Sequence, residues 1–140
     1  MICFAYFKPG DFDGKQILDF GCGSLASSVI LGRTFPNAQI TDVELVESSL
    51  TVARKTVDYY GLKNVMFCQS PSGPELPSGI DDFDFVIMSA VFEHLLPDER
   101  APIMSALWRA VRPGGHLFIN QTPNQLFPVE LHTTMLPFVN

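Results

Sequence analysis

The sequence predicts a doubly wound α/β domain, a parallel sheet with helices on both faces. Three observations carry this reading. Short apolar runs of strand length alternate with helical patterns, and strand–helix–strand repetition implies right-handed crossovers and parallel strands. The 140 residues suit one domain, a size that buries roughly 70% of the unfolded surface. A composition 46% hydrophobic and 17% charged excludes a disordered chain.

The elements follow in order. Gln16 to Phe20 is an apolar run ended by Gly21, a buried first strand. Ser24 to Phe35 carries Leu25, Val29, Ile30 and Leu31 at helical spacing. It stops before Pro36 because the residue preceding proline avoids the α region. Gln39 to Val43 reads as a second strand. Ser48 or Ser49 is the expected cap of a helix running to Tyr60, with Leu50, Ala53, Val57 and Tyr60 near one face; Gly61 supplies the left-handed stop. Val65 to Gln69 is a third strand, and Ser70 to Ile80, with three prolines and two glycines, is loop. Phe83 to Ser89 is a fourth strand. Asp98 is the expected cap of a helix to Val111, with Ile103, Leu107, Ala110 and Val111 inward. On that count Pro102 falls among the first four positions, whose N–H groups lack partners anyway. Pro113-Gly114-Gly115 ends the helix, and His116 to Asn120 is a fifth strand. From Gln121 onward no element is evident. There are no repeats.

Nine basic against fifteen acidic residues, a net charge of −6, argue against a nucleic-acid partner, because phosphate neutralisation needs clustered cations. No apolar run approaches the ~20 residues of a membrane span. Met1 to Phe7 lacks the basic flank of a signal peptide. Cys3, Cys22 and Cys68 form no C-x-x-C pair and no zinc spacing, so they read as reduced thiols of a cytoplasmic protein. Twelve phenylalanines suggest an apolar surface that this chain alone does not cover.

In an open parallel sheet the ligand lies at the carboxyl ends of the strands. Those ends are Asp19 to Gly23, Glu44, Ser70 and Ser89. Asp19-Phe20-Gly21-Cys22-Gly23-Ser24-Leu25-Ala26 follows a strand and opens a helix. Its glycines permit a sharp turn and close ligand approach, and the helix N-terminus offers free N–H groups. Two ligands compete for it. Ala26 completes G-x-G-x-x-A, a form of the dinucleotide fingerprint, and Glu44 is placed to accept both hydroxyls of a ribose. Asp19, however, would repel a pyrophosphate and suits a ligand carrying an ammonium or a sulfonium.

Ile17-Leu18-Asp19-Phe20-Gly21-Cys22-Gly23 resembles the first motif of class I S-adenosylmethionine-dependent methyltransferases. Three further stretches match in order. Ile40 to Leu45 resembles the ribose-binding second strand, Phe83 to Leu95 the fourth strand and its following turn, and Leu107 to Ile119, with Arg112-Pro113-Gly114-Gly115, the approach to strand five. The resemblance runs from about Gly14 to Asn120. It implies a Rossmann-like sheet of order 3-2-1-4-5 and S-adenosyl-L-methionine as cofactor.

The resemblance also implies roles. Gly21, Cys22 and Gly23 would pass under the methionine part, with Cys22 chosen for size rather than reactivity. Asp19 would face the ammonium through water. Glu44 would hold the ribose hydroxyls and Leu45 would lie on the adenine. Ser70 stands where the family often has an acid near the adenine amino group, and Leu25 where it has a third glycine. Ser89 and Ala90 would line the cofactor through backbone carbonyls. His94 is the candidate general base, with Glu93 beside it; the plainer reading is that Glu93-His94-Leu95 shapes the turn. His116 and Trp108 read as structural, Trp108 in the core or on a helix face. Glu130 and His132 lack a third partner, so no metal is expected. Thr122 to Asn124 and Glu130 to Thr133 resemble the segment after strand five in a small-molecule methyltransferase branch.

The expected reaction is methyl transfer to a small-molecule or lipid-like acceptor. The expected organisation is one domain over residues 1–140, with core 14–120 and a tail 121–140 toward the substrate side. Relative to the family, the chain lacks the C-terminal antiparallel hairpin and the N-terminal lid helices, so it reads as truncated, with impaired turnover. Strand five would then be an open edge inviting self-association or a partner chain. The alternatives are a non-catalytic methyltransferase-like module that binds a partner, and a nicotinamide-dependent oxidoreductase. The latter leaves Asp19 and Arg112-Pro-Gly-Gly without a role.

Overall fold

A computed structural model describes residues 6–22, 26–71 and 75–120. Its strands are β1 (Gln16–Phe20), β2 (Gln39–Glu44), β3 (Val65–Gln69), β4 (Phe83–Ser89) and β5 (Val111–Asn120), and its helices α1 (Ala26–Thr34), α2 (Glu47–Tyr59) and α3 (Pro97–Ala110). The strands form one sheet in the order β3-β2-β1-β4-β5, and every pair is parallel. This is the Rossmann-like order expected. β1 and β4 are central and covered on both faces, so they read as near-continuous apolar runs rather than alternating ones.

Alternate residues divide the core into two layers. Ile17, Ile40, Phe85 and Ile87 meet Leu31 and Phe35 of the α1 side. Leu18, Phe20, Val43, Val86 and Met88 meet Ile103, Leu107 and Ala110 of α3. α2 touches α1 and buries Leu50, Ala53 and Val57. Several phenylalanines among the described residues find partners within the chain. Phe12 stacks on Phe35 with ring centroids 4.1 Å apart, and Phe7 meets Phe85 and Phe118 edge-on. His116 joins this cluster beside Phe85, a structural place as expected.

Several local expectations are corrected. Neither Ser48 nor Ser49 caps α2: Val46 is the N-cap residue, and the Glu44 carboxylate two residues earlier receives the N–H groups of Leu45 and Val46 at 2.8 and 3.0 Å. Asp98 does not cap α3. The helix starts at Pro97, and Glu99 accepts the Leu96 N–H at 2.9 Å in a capping box. Pro102 therefore lies inside the helix, and the carbonyl one turn back loses a donor. Ile30, Tyr60 and Trp108 are exposed, Trp108 at 63%; Tyr60 instead sits under the Arg33 guanidinium. Pro113-Gly114-Gly115 does not separate α3 from β5. The strand begins at Val111 and bulges: Phe83 pairs with Val111 while Phe85 pairs with His116. Gly115 is required in the bulge, because a Cβ would stand 2.9 Å from the carbonyl oxygens of Phe83 and Asp84.

The amino end of the sheet is tied by one carboxylate. Asp84 accepts the Gln16 N–H at 2.9 Å, Lys15 Nζ at 3.2 Å and Arg112 Nη1 at 3.0 Å. Burial alone would raise its pKa, but the Gln16 and Lys15 hydrogen bonds and the Arg112 charge outweigh burial and hold it below the usual carboxylate value. The linked stability is present above the unfolded carboxylate pKa and disappears as pH falls through the lowered one. Lys15 and Arg112 are part-exposed, so Asp84→Ala is expected to lose only about 1–3 kcal/mol at pH 7. Thermal melts from pH 6 down to pH 2 should show the wild-type advantage vanishing toward the acid end; a constant gap would contradict the assignment.

Candidate functional site at the strand ends

A cavity of about 370 Å³ opens at the carboxyl ends of β1, β2 and β4, against the face that carries α3. Six residues singled out in the sequence line it: Gly21, Glu44, Leu45, Ser70, Ala90 and His94. Its volume falls within the range of small-molecule sites.

Each comes from a strand end or from the turn beyond. Gly21 has φ +78°, and a Cβ there would run into Cγ2 of Val91. Its N–H donates to the Val43 carbonyl at 2.8 Å, binding the β1 and β2 ends together. Glu44 closes β2, and its carboxylate organises the start of α2 while lining the cavity. Leu45 is 56% exposed on the cavity side. Ser70 is buried, its N–H donates to the Glu44 carbonyl, and its hydroxyl lies 3.3 Å from the carbonyls of Pro71 and Glu75. Ala90 adopts φ +55°, rare for a residue with a Cβ, and donates its N–H to Asn120. Such strain persists where surrounding structure enforces it.

Other candidates stand apart. Ser89 is not on the cavity wall and donates its hydroxyl to the Asn120 side chain. His94 reaches the wall from the short turn Phe92–His94, but Glu93 does not; both Glu93 carboxylate oxygens are buried without a partner among the described residues. Burial, then the charges of Asp42, Asp19 and Glu44, push the Cys22 thiol up, so it stays protonated and unreactive. Gly23, Leu25 and the tail positions Thr122, Asn124, Glu130 and His132 lie outside the described residues.

Asp19 is buried rather than on the wall. It sits in register with Asp42 on β2, so two carboxylates share one face of the sheet. Burial pushes both pKa values up, and Asp19 raises Asp42 further. The sequence reading did not single out Asp42. A second acid inside β2, two residues before Glu44 and so on the same face, was the available signal. Nor did the sequence reading place Val91, Leu95, Glu99 and Ile103 at the site; Leu95 was read as part of the turn and Ile103 as core, and all four line the cavity from the turn and first half of α3.

Residues 17–115 match the family model described as a methyltransferase domain. A curated relative, the ubiquinone biosynthesis O-methyltransferase of Acinetobacter baumannii strain AYE, is 30% identical over 137 residues, covering 93% of this chain and 56% of its own length. The chain thus spans little more than half of that relative. Among solved structures, a SAM-dependent methyltransferase from Aquifex aeolicus superposes with TM-score 0.69 at 23% identity, covering 84% of this chain and 65% of that one. PKMT2 from Rickettsia typhi, in complex with AdoHcy, superposes with TM-score 0.67 at 23% identity, covering 75% of this chain and 20% of that one.

Proposed function

This chain belongs to the class I S-adenosylmethionine-dependent methyltransferase family, and from that premise we propose that it transfers a methyl group from S-adenosyl-L-methionine to a small-molecule or lipid-like acceptor. The observation that carries the proposal is the meeting of Gly21, Glu44 and Leu45 on one cavity. The residues fit the cofactor. A glycine that tolerates no Cβ forms the turn, a carboxylate ends the neighbouring strand, and a buried Asp19 oxygen without a partner among the described residues lies behind the turn. The Acinetobacter relative's name, an O-methyltransferase of ubiquinone biosynthesis, favours an oxygen acceptor on a lipid-like molecule.

The cofactor supplies an electrophilic methyl on a cationic sulfur, so displacement by the acceptor leaves a neutral thioether. The protein's task is alignment, worth about 7–11 kcal/mol when two reactants are held in line. Glu44 holds the ribose hydroxyls, and Leu45 covers the adenine beside Ser70. The backbone of Gly21 and Ala90 flanks the methionine part, with Cys22 and Ser89 supporting these turns from behind. His94, on the wall, takes the proton where the acceptor carries one. Glu93, buried off the wall, shapes the turn that presents His94. We assign the protein to the cytoplasm. Cys68 is a free thiol, which suits a reducing compartment. Among the described residues no helix is long and apolar enough to cross a membrane. β5 is one edge of the described sheet, and its unpaired backbone suits self-association or a partner chain.

Calorimetry with S-adenosylhomocysteine, and NADH as control, tests the reading. Saturable binding of the first and none of the second is expected. NADH binding would move the protein to the oxidoreductases. A folded protein binding neither would leave the partner-binding module as the better account.

A further inference from the structure

Asp42, beside Asp19, has no role in the mechanism above. Both residues are buried, at 2% and 0% exposure. Adjacent strands lie about 4.8 Å apart, so side chains in register on one face are neighbours. One oxygen of Asp19 and both of Asp42 have no hydrogen-bond partner among the described residues. Among the described residues the surroundings offer no cation. In register on either side stand Ile87 of β4 and Phe67 of β3. The turn contributes Cys22, the end of β2 contributes Glu44, and the first turn of α1 contributes the hydroxyls of Ser27 and Ser28. Ser28 is itself fully buried, its hydroxyl oxygen has no hydrogen-bond partner among the described residues, and its nearness lowers the Asp42 pKa without outweighing burial. No ion pair among the described residues involves either carboxylate.

Two adjacent carboxylates in a dry site cannot both ionise without a counter-charge. One proton between them gives one oxygen a donor and its neighbour an acceptor. The pair also stands close to the cavity. Asp19 precedes Gly21 by two residues, Asp42 precedes Glu44 by two, and both Gly21 and Glu44 are on the wall.

We propose that Asp42 is a positioning residue for the methyl-donor site: it shares one proton with Asp19 behind the glycine turn, and that proton leaves to solvent when a ligand's ammonium group settles against the turn. The ammonium replaces the proton as the counter-charge, so binding and deprotonation are linked. This rests on the proposed cofactor reading. Asp42 touches no ligand; it acts through Asp19, by setting the pH at which Asp19 offers its full charge. Affinity therefore rises with pH until the free pair loses its proton unaided, and is flat beyond.

The test is calorimetric titration of the purified chain with S-adenosylhomocysteine at pH 6 and pH 8, each in two buffers of different ionisation enthalpy. Wild-type affinity is expected to rise about tenfold over that interval, within the tenfold-per-unit ceiling for one released proton. The buffer dependence should report a proton released at pH 6. Asp42→Asn leaves Asp19 with burial alone to hold a proton, so its affinity should rise by no more than about twofold over that interval and its proton release at pH 6 should fall by about half or more. A wild type that binds with equal affinity at both pH values, without buffer dependence, overturns this inference and leaves the cofactor reading standing. An Asp42→Asn protein that keeps the wild-type slope assigns the proton elsewhere and also overturns it. A folded wild type that fails to bind at either pH overturns the cofactor reading and this inference together. Should Asp42→Asn fail to fold, carboxyl carbon NMR of the wild type decides. One aspartate titrating well above the usual carboxylate range, and ionised on ligand addition, supports the pair. Two aspartates with ordinary titrations refute it.

Discussion

Gly21→Ala is expected to remove roughly 2–4 kcal/mol of stability and to abolish binding of S-adenosylhomocysteine. Two causes add. The backbone at Gly21 is left-handed, φ +78°, which costs an L-residue about 1–2 kcal/mol. The new Cβ would also run into the Val91 side chain, which packs against the α3 layer and has little room to retreat. A Val91→Ala change in the same background separates the two. It should return the steric part, on the order of 1–2 kcal/mol, and leave the backbone part. Denaturant unfolding reads the stability and calorimetry the binding. A single variant as stable as wild type would show that the turn relaxes freely, and would remove the reason for a glycine there.

Glu44→Ala is expected to weaken cofactor binding about 100-fold or more. Hydrogen bonds to a charged acceptor contribute about 1.5–3 kcal/mol each, and two ribose hydroxyls would lose theirs; about 3 kcal/mol corresponds to about 100-fold. The same change removes the acceptor for the Leu45 and Val46 N–H groups, so stability should also fall by about 1 kcal/mol. Glu44→Gln distinguishes the roles. Its side-chain carbonyl still receives the backbone groups, so stability should recover, while affinity recovers only in part because the charge is gone. Unchanged affinity in both variants would remove Glu44 from the site.

The first four strands were legible because each is a short apolar run bounded by glycine, proline or polar residues, and their bounds hold to within a residue in the fold. The helix starts were less legible. The capping groups are the carboxylates of Glu44 and Glu99, offset from the helix start in ways that a search for a serine or aspartate at the boundary overlooks. The bulge in β5 was hidden because Pro113 and two glycines read as a helix stop. They turn out to sit inside the strand, where only close approach to β4 explains Gly115. In the cavity, Gly21, Glu44 and His94 were legible from motif and spacing. Asp42 was not, because its meaning depends on register: only the pairing of β1 with β2 sets it beside Asp19. Trp108 shows the converse, a residue type that favours burial left on the outer face of α3.

The charges at the two ends of the sheet give the domain a mechanical polarity. At the amino end Asp84 meets Lys15, Arg112 and the Gln16 N–H, a knot with both signs of charge. At the carboxyl end Asp19 and Asp42 are two acids in register, with no ion pair among the described residues to hold their charge. The sheet is therefore clamped at one rim and sprung at the other. Small openings are then expected to be cheapest at the carboxyl rim, and on the proposed reading a ligand's cation there would do more than occupy space: it would close that rim and lend the domain cohesion that its own residues withhold.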